Sequence, residues 1–539
     1  MCYRCTTTPV ARGRPRKNVA ESVSLGADAA HPEAPADSSQ SASGSSASFP
    51  VDASSPPVHD TAPVLTPELV SHFFDCFDQL PAVNNPVIIA TSIKTVVQAA
   101  SFNISLLPPQ SRTLAMCIIA CCSLISFHVA ILGPGPRPQS FSDPLFFSEY
   151  RDGRRCGARR AAAFNALHAA ALKDARDIGI MLEVSTENAA SCFILDLLDQ
   201  REHAGPSRPF AAAYVSHVRA LAPMWRASPV PQYRSHWAGF LMSEALLSTR
   251  NRKPILITHE DQLLLSGPEP SSVQEFLASL ETLANTPGAE IVLQAMKPYA
   301  FHITSLARQL WAKIIGDHIR LGPLSEAPVL QFITSLFLMH AILSHLLARA
   351  DDALAVSGTP QQRPLVLDTE STAEALVRGC AYGMAMGFIE LVLPLYRELE
   401  LRVNAEATDS PPTHAHTLGR MRLLVMQARN MARLAVRELA RAIRYLPPVH
   451  YAPVQRKLLV DFARFALDDV KAEAVPFEPD RVRNIQTIAK QLWMVGYSQD
   501  LFVSQDTALL VERLDHYLEN AARHLEIMDM GYICQAGPL

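Results

Sequence analysis

Neither a phosphate-binding G-x-x-x-x-G-K-[S/T] loop, nor a G-x-S-x-G nucleophile elbow, nor an H-E-x-x-H zinc-protease helix occurs in the 539 residues. Those spacings exist because the chemistry needs them, so nucleotide hydrolysis, acyl transfer and zinc proteolysis lack their usual signposts. An excess of positive charge is missing too. The formal net charge of −4 and a pI near 6.5 exclude a wholly basic nucleic-acid coat, and any such contact must be local. The ten cysteines, scattered from Cys2 to Cys534, do not form a secreted disulfide framework. Several sit in apolar runs, where free cysteine behaves as a small hydrophobe, and no signal-type apolar run opens the chain. A reducing intracellular compartment is therefore expected. Alternating strand patterns with hairpin turns are scarce, and no period of about 20 to 50 residues repeats, so a solenoid is not supported.

What is present is helix. At 59.0 kDa and 48% hydrophobic the chain can bury a large core, and its length suggests roughly two to four domains. "TPELVSHFFDCFDQL" places Thr66 as N-cap, Pro67 at the first helical position and Glu68 in the first turn. Apolar residues then recur at spacings of three and four over 188–198, 210–224, 272–283, 303–315, 329–350, 372–401, 418–446, 453–467, 482–494 and 507–528. Proline-rich breaks such as "GPGPRPQSFSDP", "PVPQY", "GPEPSS" and "SGTPQQRP" separate these segments. The expected fold is all-α: a large multi-helix body over 66–350, a connecting loop at 351–370 and a C-terminal helical lobe over 371–539. Ahead of it, 20–65 is dominated by Ser, Ala, Pro and Asp and reads as a disordered linker, because it cannot bury enough apolar surface to offset its ordering entropy.

Two runs, Thr113 to Gly133 and Val329 to Ala350, approach the roughly 20 apolar residues that a bilayer requires. Polar residues interrupt both (Ser123, Ser126 and His128 in one; Thr334, Ser335, His340, Ser344 and His345 in the other), so buried core helices are expected and no membrane partner.

Candidate chemistry is sparse, and no enzymatic activity is expected. "ITHEDQ" sets His259, Glu260 and Asp261 side by side, which on a helix cannot face one site; it reads as a polar loop or helix start. "THAHT" offers His414 and His416 without a third metal ligand nearby. "RDGRRCGARR", Arg151 to Arg160, surrounds Cys156 with five arginines, which reads either as a reactive low-pKa thiol or as a cationic surface loop. In "GRMRLLVMQARNMARLAVRELARAIRYL", Arg422, Arg429, Arg433, Arg437, Arg441 and Arg444 share one arc of a helix. Leu424, Val425, Val436, Leu439, Ile443 and Leu446 lie opposite. The stripe is either a solvated face or a contact for an acidic partner or DNA phosphate, Glu438 being its only acid.

The N-terminal head, "MCYRCTTTPVARGRPRKNV", is the most pointed feature. Arg12, Gly13, Arg14 and Pro15, followed by Arg16 and Lys17, have the form of a minor-groove arm, a form that nuclear-import signals and plain basic tails share. Glycine allows close backbone approach, proline keeps the chain extended, and arginines enter the negative potential of a narrow A·T groove. Such an arm supplies salt-dependent phosphate affinity and little sequence readout.

With its single C-x-x-C at Cys2 and Cys5, residues 1–19 resemble the C-terminal end of a fungal six-cysteine zinc cluster with its basic linker. The body is similar to the fungal-specific transcription factor domain, the middle homology region, in a basidiomycete-like form. The stretches that carry this are "LLPPQSRTLAMCIIACCSLISFH", "GPGPRPQSFSDPLFF", "GIMLEVSTENAASCFILDLLDQ", "SRPFAAAYVSHVRALAPMW" and "NRKPILITHEDQLLLSGPEPSS", covering about 66–350. The resemblance implies a nuclear, non-enzymatic helical regulator attached to a DNA-binding cluster, acting on RNA polymerase II genes. Its implied partners are DNA, a homodimer mate, and a small-molecule effector or coregulator. Zinc belongs to the family pattern, but two thiolates fall short of the four ligands zinc prefers, so none is expected on this chain and Cys2 and Cys5 stand as an incomplete remnant. The opening begins in mid-motif, and an upstream exon is expected to hold the rest of the cluster, the alternative being a natural truncation that retains only the regulatory body. A helical scaffold without autonomous DNA binding is the alternative reading.

Overall fold

The computed structural model describes residues 63–535 apart from 142, 149, 203–206, 227–232, 284–285, 357–368, 410–414, 447–454, 472–476 and 502. Among the described residues there is no strand, and the fold is all-α as its apolar spacing predicts. Helices of eight residues or more are numbered here in chain order. The first seven are α1 (Pro67–Phe77), α2 (Pro109–Ser123), α3 (Tyr150–Ile178), α4 (Thr186–Glu202), α5 (Pro209–Arg226), α6 (Tyr233–Arg250) and α7 (His259–Ser266). There follow α8 (Val273–Thr282), α9 (Gly288–Leu310), α10 (Glu326–Val356), α11 (Thr369–Asp409), α12 (Ala415–Ile443), α13 (Gln455–Lys471), α14 (Pro479–Val495) and α15 (Gln505–Gln535).

The start of α1 follows its sequence closely. Thr66 is extended and its hydroxyl accepts from Leu69 N at 3.3 Å, while Pro67 fills a position whose N–H would be orphaned anyway. Every residue of α2 from Thr113 to Ser123 is buried, because the helix is apolar all round and is enclosed by α1, α3 and α4. It stops after 15 residues at Leu124, which makes it the core helix expected of this run.

Two hydrophobic cores result. The first is built from α1–α5 and α7, around Phe73, Phe74, Leu114, Ile118, Phe164 and Leu195. The second is built from α8–α15, around Tyr299, Leu336, Leu343, Phe388, Leu399 and Phe462. Helix α6 belongs to both: Trp237 and Leu241, one turn apart, enter the first core, and Ala238, Met242 and Ala245 enter the second. A helix that serves two cores must be apolar on opposite faces, so it carries no single stripe.

Helix α10 runs on to Val356 and α11 begins at Thr369, so the expected connecting loop 351–370 is helical at both ends, and 357–368 lie outside the described residues. Their residues Leu343, Leu347, Ala381 and Phe388 lie in the same buried cluster. Glu326–Ala355 and Ala373–Ala405 are long and apolar enough to cross a membrane by length and composition, and 67% of the apolar window of the second lies inside the fold.

The chain's early and late parts also meet. Gly157 N donates to Gly496 O at 2.8 Å, and the first turns of α3 lie against the segment after α14 with backbone touching backbone. Leu132, Cys156 and Tyr497 fill a small third cluster there, rimmed by Phe127, Phe141, Phe146 and Phe147.

Candidate functional site

The arm residues Arg12, Gly13, Arg14, Pro15, Arg16 and Lys17 and the thiols of Cys2 and Cys5 lie outside the described residues, as does nearly all of the 20–65 tract. Zinc can be weighed against the body's own donors. Among the described residues no group of three or more His, Cys, Asp or Glu side chains is arranged to hold a metal ion. Six of the seven cysteines whose side chains are described are buried. Burial pushes the Cys121 thiol up to about 12 and that of Cys380 to about 11, so these sulfurs stay protonated hydrophobes rather than thiolate ligands. The described residues do not fit a binuclear zinc cluster.

The segment Arg151 to Arg160 departs from both of its sequence readings. It is neither a surface loop nor an exposed thiol site but the opening of α3, continued by the alanine-rich, strongly helix-forming "ARRAAAFNALHAAALKDA". Cys156 is fully buried. Arg160 is fully buried as well, with NH1 donating to Ser123 O at 2.7 Å and Ser126 O at 2.9 Å. It caps the orphaned carbonyls where α2 ends, and its guanidinium lies 4.6 Å from the centre of the Tyr497 ring. Tyr497 OH completes the cap by donating to Ile125 O at 3.0 Å. Arg159 is equally committed, its Nε donating to Leu132 O at 3.0 Å. In the folded chain Cys156 should react with a thiolate-selective alkylator no faster than the fold opens, with half-buried Cys380 ahead of it. Peptide mapping over a labelling time course reads this, and rapid early labelling of Cys156 would contradict its burial.

The arginine stripe forms as spaced, on α12. Its acidic partners come from this same chain. Arg429 Nε and Arg433 Nε donate to the two oxygens of buried Asp469 on α13, at 2.7 and 2.8 Å, and Arg441 NH2 donates to Asp351 Oδ2 on α10 at 2.6 Å. Glu438 is buried and takes Arg437 NH2 at 2.9 Å and His340 Nε2 at 3.3 Å. Burial works against its charge, but the bonds from His340 and Arg437 outweigh it and hold the carboxyl below the usual range. Arg422 and Arg444 are exposed. The ridge is thus a seam between helices for most of its length.

At "ITHEDQ" the helix-start reading holds. Thr258 and Asp261 form a reciprocal capping box at the start of α7, with Asp261 N donating to Thr258 Oγ1 at 3.1 Å. Asp261 also takes Arg219 Nε and NH2, both at 2.7 Å; burial opposes its charge, but Arg219 and Thr258 keep its carboxyl low. His259 lies 4.0 Å from Glu269, and His414 is outside the described residues, with the side chain of His416.

The sequence did not disclose a buried triad. Arg208, immediately before α5, makes bidentate contacts to Asp196 on α4 (3.2 and 2.6 Å) and to Glu244 on α6 (2.8 and 2.7 Å), and a further bond to Ser248 Oγ at 3.0 Å. All three ionic side chains are at most 13% exposed. Burial raises the Glu244 carboxyl although Arg208 pulls it down, and Arg208 is held more firmly protonated than an ordinary arginine, burial being outweighed by the two carboxylates. The only hint in the sequence was a lone aspartate inside the apolar run "CFILDLL". No family model matches the chain, and no curated protein or solved structure matches it either.

Proposed function

We propose that the chain is a transcriptional regulator of RNA polymerase II genes in the nucleus, in which an all-helical body modulates DNA contacts made through the basic head. The observation that carries this is the Arg12-Gly13-Arg14-Pro15-Arg16-Lys17 run set ahead of a Ser/Ala/Pro tract and a body without a strand among its described residues. Arginines interleaved with glycine and proline in this pattern suit a narrow minor groove. Two buried cores and internally paired arginines give that body a fixed shape on which an effector or coregulator can act.

Fluorescence anisotropy with an A·T-rich duplex at low salt tests it. The chain should bind, and Arg12/Arg14→Ala should weaken binding and flatten the slope of log K against log salt by about 1.8, the loss of two phosphate contacts. A chain that binds no duplex at low salt would leave a helical scaffold as the better description.

A further inference from the structure

Three arginines from three separate elements converge on one carboxylate. Glu398 of α11 is fully buried. Arg402, one turn on, gives it Nε at 3.0 Å and directs NH1 and NH2 to the carbonyls of Gly322 and Ile319, at 2.9 and 3.1 Å. Arg320, from the short helix Asp317–Arg320, gives Nε at 3.2 Å and pairs with the second oxygen through NH2. Arg252, two residues past α6, stands 3.9 Å from that oxygen, and its guanidinium donates no hydrogen bond to the described residues. Beside this group, Arg397 NH2 donates to Asp461 Oδ1 at 3.0 Å, and Lys457 Nζ on α13 donates to Asn251 Oδ1 at 2.9 Å.

One carboxylate cannot neutralise three guanidiniums, so the surface above Glu398 is positive although the chain as a whole is negative. The crowding is felt by its members. Arg252 is pulled below its ordinary value by burial and then by Arg320, more than Glu398 can restore, with Arg397 adding to the effect. Lys457 is lowered by burial in the first place, with Arg250, Arg397 and Lys253 working against the opposing pull of Asp461. Arg252 is also held at φ 53°, a left-handed conformation that glycine adopts more readily. Arg252, Arg320 and Arg402 meet at the single carboxylate of Glu398 rather than along a track. A duplex presents phosphates in a line, whereas a compact multivalent anion presents its charge at a point.

From this convergence we infer that the Arg252–Arg320–Arg397–Lys457 surface over Glu398 binds a small phosphate-bearing anion of diphosphate size. Arg252, held to Glu398 by a 3.9 Å ion pair without a hydrogen bond, supplies a planar donor set, and Lys457 supplies an exposed ammonium. The inference does not depend on the DNA-binding reading.

Inorganic pyrophosphate is the probe, titrated into the whole chain at ionic strength held constant with chloride, following heat of binding and melting temperature. Pyrophosphate should give a saturable rise in melting temperature that chloride does not, and Arg252→Gln should weaken binding about tenfold or more. Arg252→Gly separates binding from folding: it relieves the left-handed backbone, so the free chain should melt no lower, yet pyrophosphate affinity should fall as in Arg252→Gln. Arg483→Gln, an exposed change on α14, should leave binding intact. The inference fails if pyrophosphate acts no better than chloride, or if Arg483→Gln weakens binding as much as Arg252→Gln. It fails equally if a short duplex displaces pyrophosphate with the same dependence on Arg252, which would make the surface a backbone contact.

Discussion

Gly157→Ala is expected to destabilise the folded chain by about 3 kcal/mol, against the normal trend for glycine in a helix. Replacing an interior helical glycine by alanine ordinarily gains roughly 0.5–1 kcal/mol. Here a Cβ would sit inside the contact distance of the Gln499 carbonyl and 2.7 Å from Asp500 N, all backbone atoms that cannot rotate away. The facing position is just as tight, since a Cβ on Gly496 would lie 2.9 Å from Arg154 Cα. Relief requires the two segments to part, which breaks the Gly157–Gly496 hydrogen bond and loosens the Arg160–Tyr497 contact beside it. One turn upstream, Gly153 has nothing within 4 Å of its would-be Cβ, so Gly153→Ala should show the ordinary gain. Denaturant midpoints of the two variants decide the matter; equal shifts of the same sign would mean that the segments do not approach this closely.

Arg208→Met should cost about 3–5 kcal/mol, the characteristic penalty for removing one member of a buried ionic cluster. It would leave Asp196 and Glu244 facing each other without the guanidinium that bridges them, where before each had two guanidinium hydrogen bonds. The deficit has a sign in pH. Glu244 already sits above the ordinary glutamate range because burial outweighs Arg208, and losing Arg208 removes the influence that pulls it down. In the variant the folded state therefore holds protons more tightly than the unfolded chain, and stability rises as pH falls toward the carboxylate range. The gap between variant and parent should narrow on acidification. Adding Asp196→Leu and Glu244→Leu should recover most of the loss at neutral pH, because a packed apolar trio of similar volume replaces the charges. A gap that stays constant with pH, or an initial loss under about 1 kcal/mol, would show that water screens these charges.

The fold class was legible because periodicity reports burial, and burial dominates here. Thr66, Pro67 and the apolar run of α2 all behave as their residue types dictate. Two long helices escaped the same reasoning for opposite reasons. Helix α3 opens on five arginines within ten residues, a density that resembles a solvated loop until one sees Arg160 capping a neighbouring helix. Helix α6 has no polar face to make a stripe stand out, because both of its faces are interior. Charge pairing was the least legible: Arg429 and Asp469 are 40 positions apart, and Arg320 and Glu398 are 78 apart. Composition shows such charges but not which helix will bring the partner. The candidate arm was visible as a motif alone, and its residues fall outside the described fold.

The hydrogen bond from Tyr497 to Ile125 joins positions 372 apart. A ribosome adding about 5–20 residues per second needs roughly 20–70 s to make the second partner after the first. Through that interval α2 has emerged with its terminal carbonyls lacking part of their cap, and Cys156 lacks the tyrosine that closes its cluster. The helices of the first core are therefore all made before this bond can form, and the Tyr497 cap is a late closure set by the clock of synthesis.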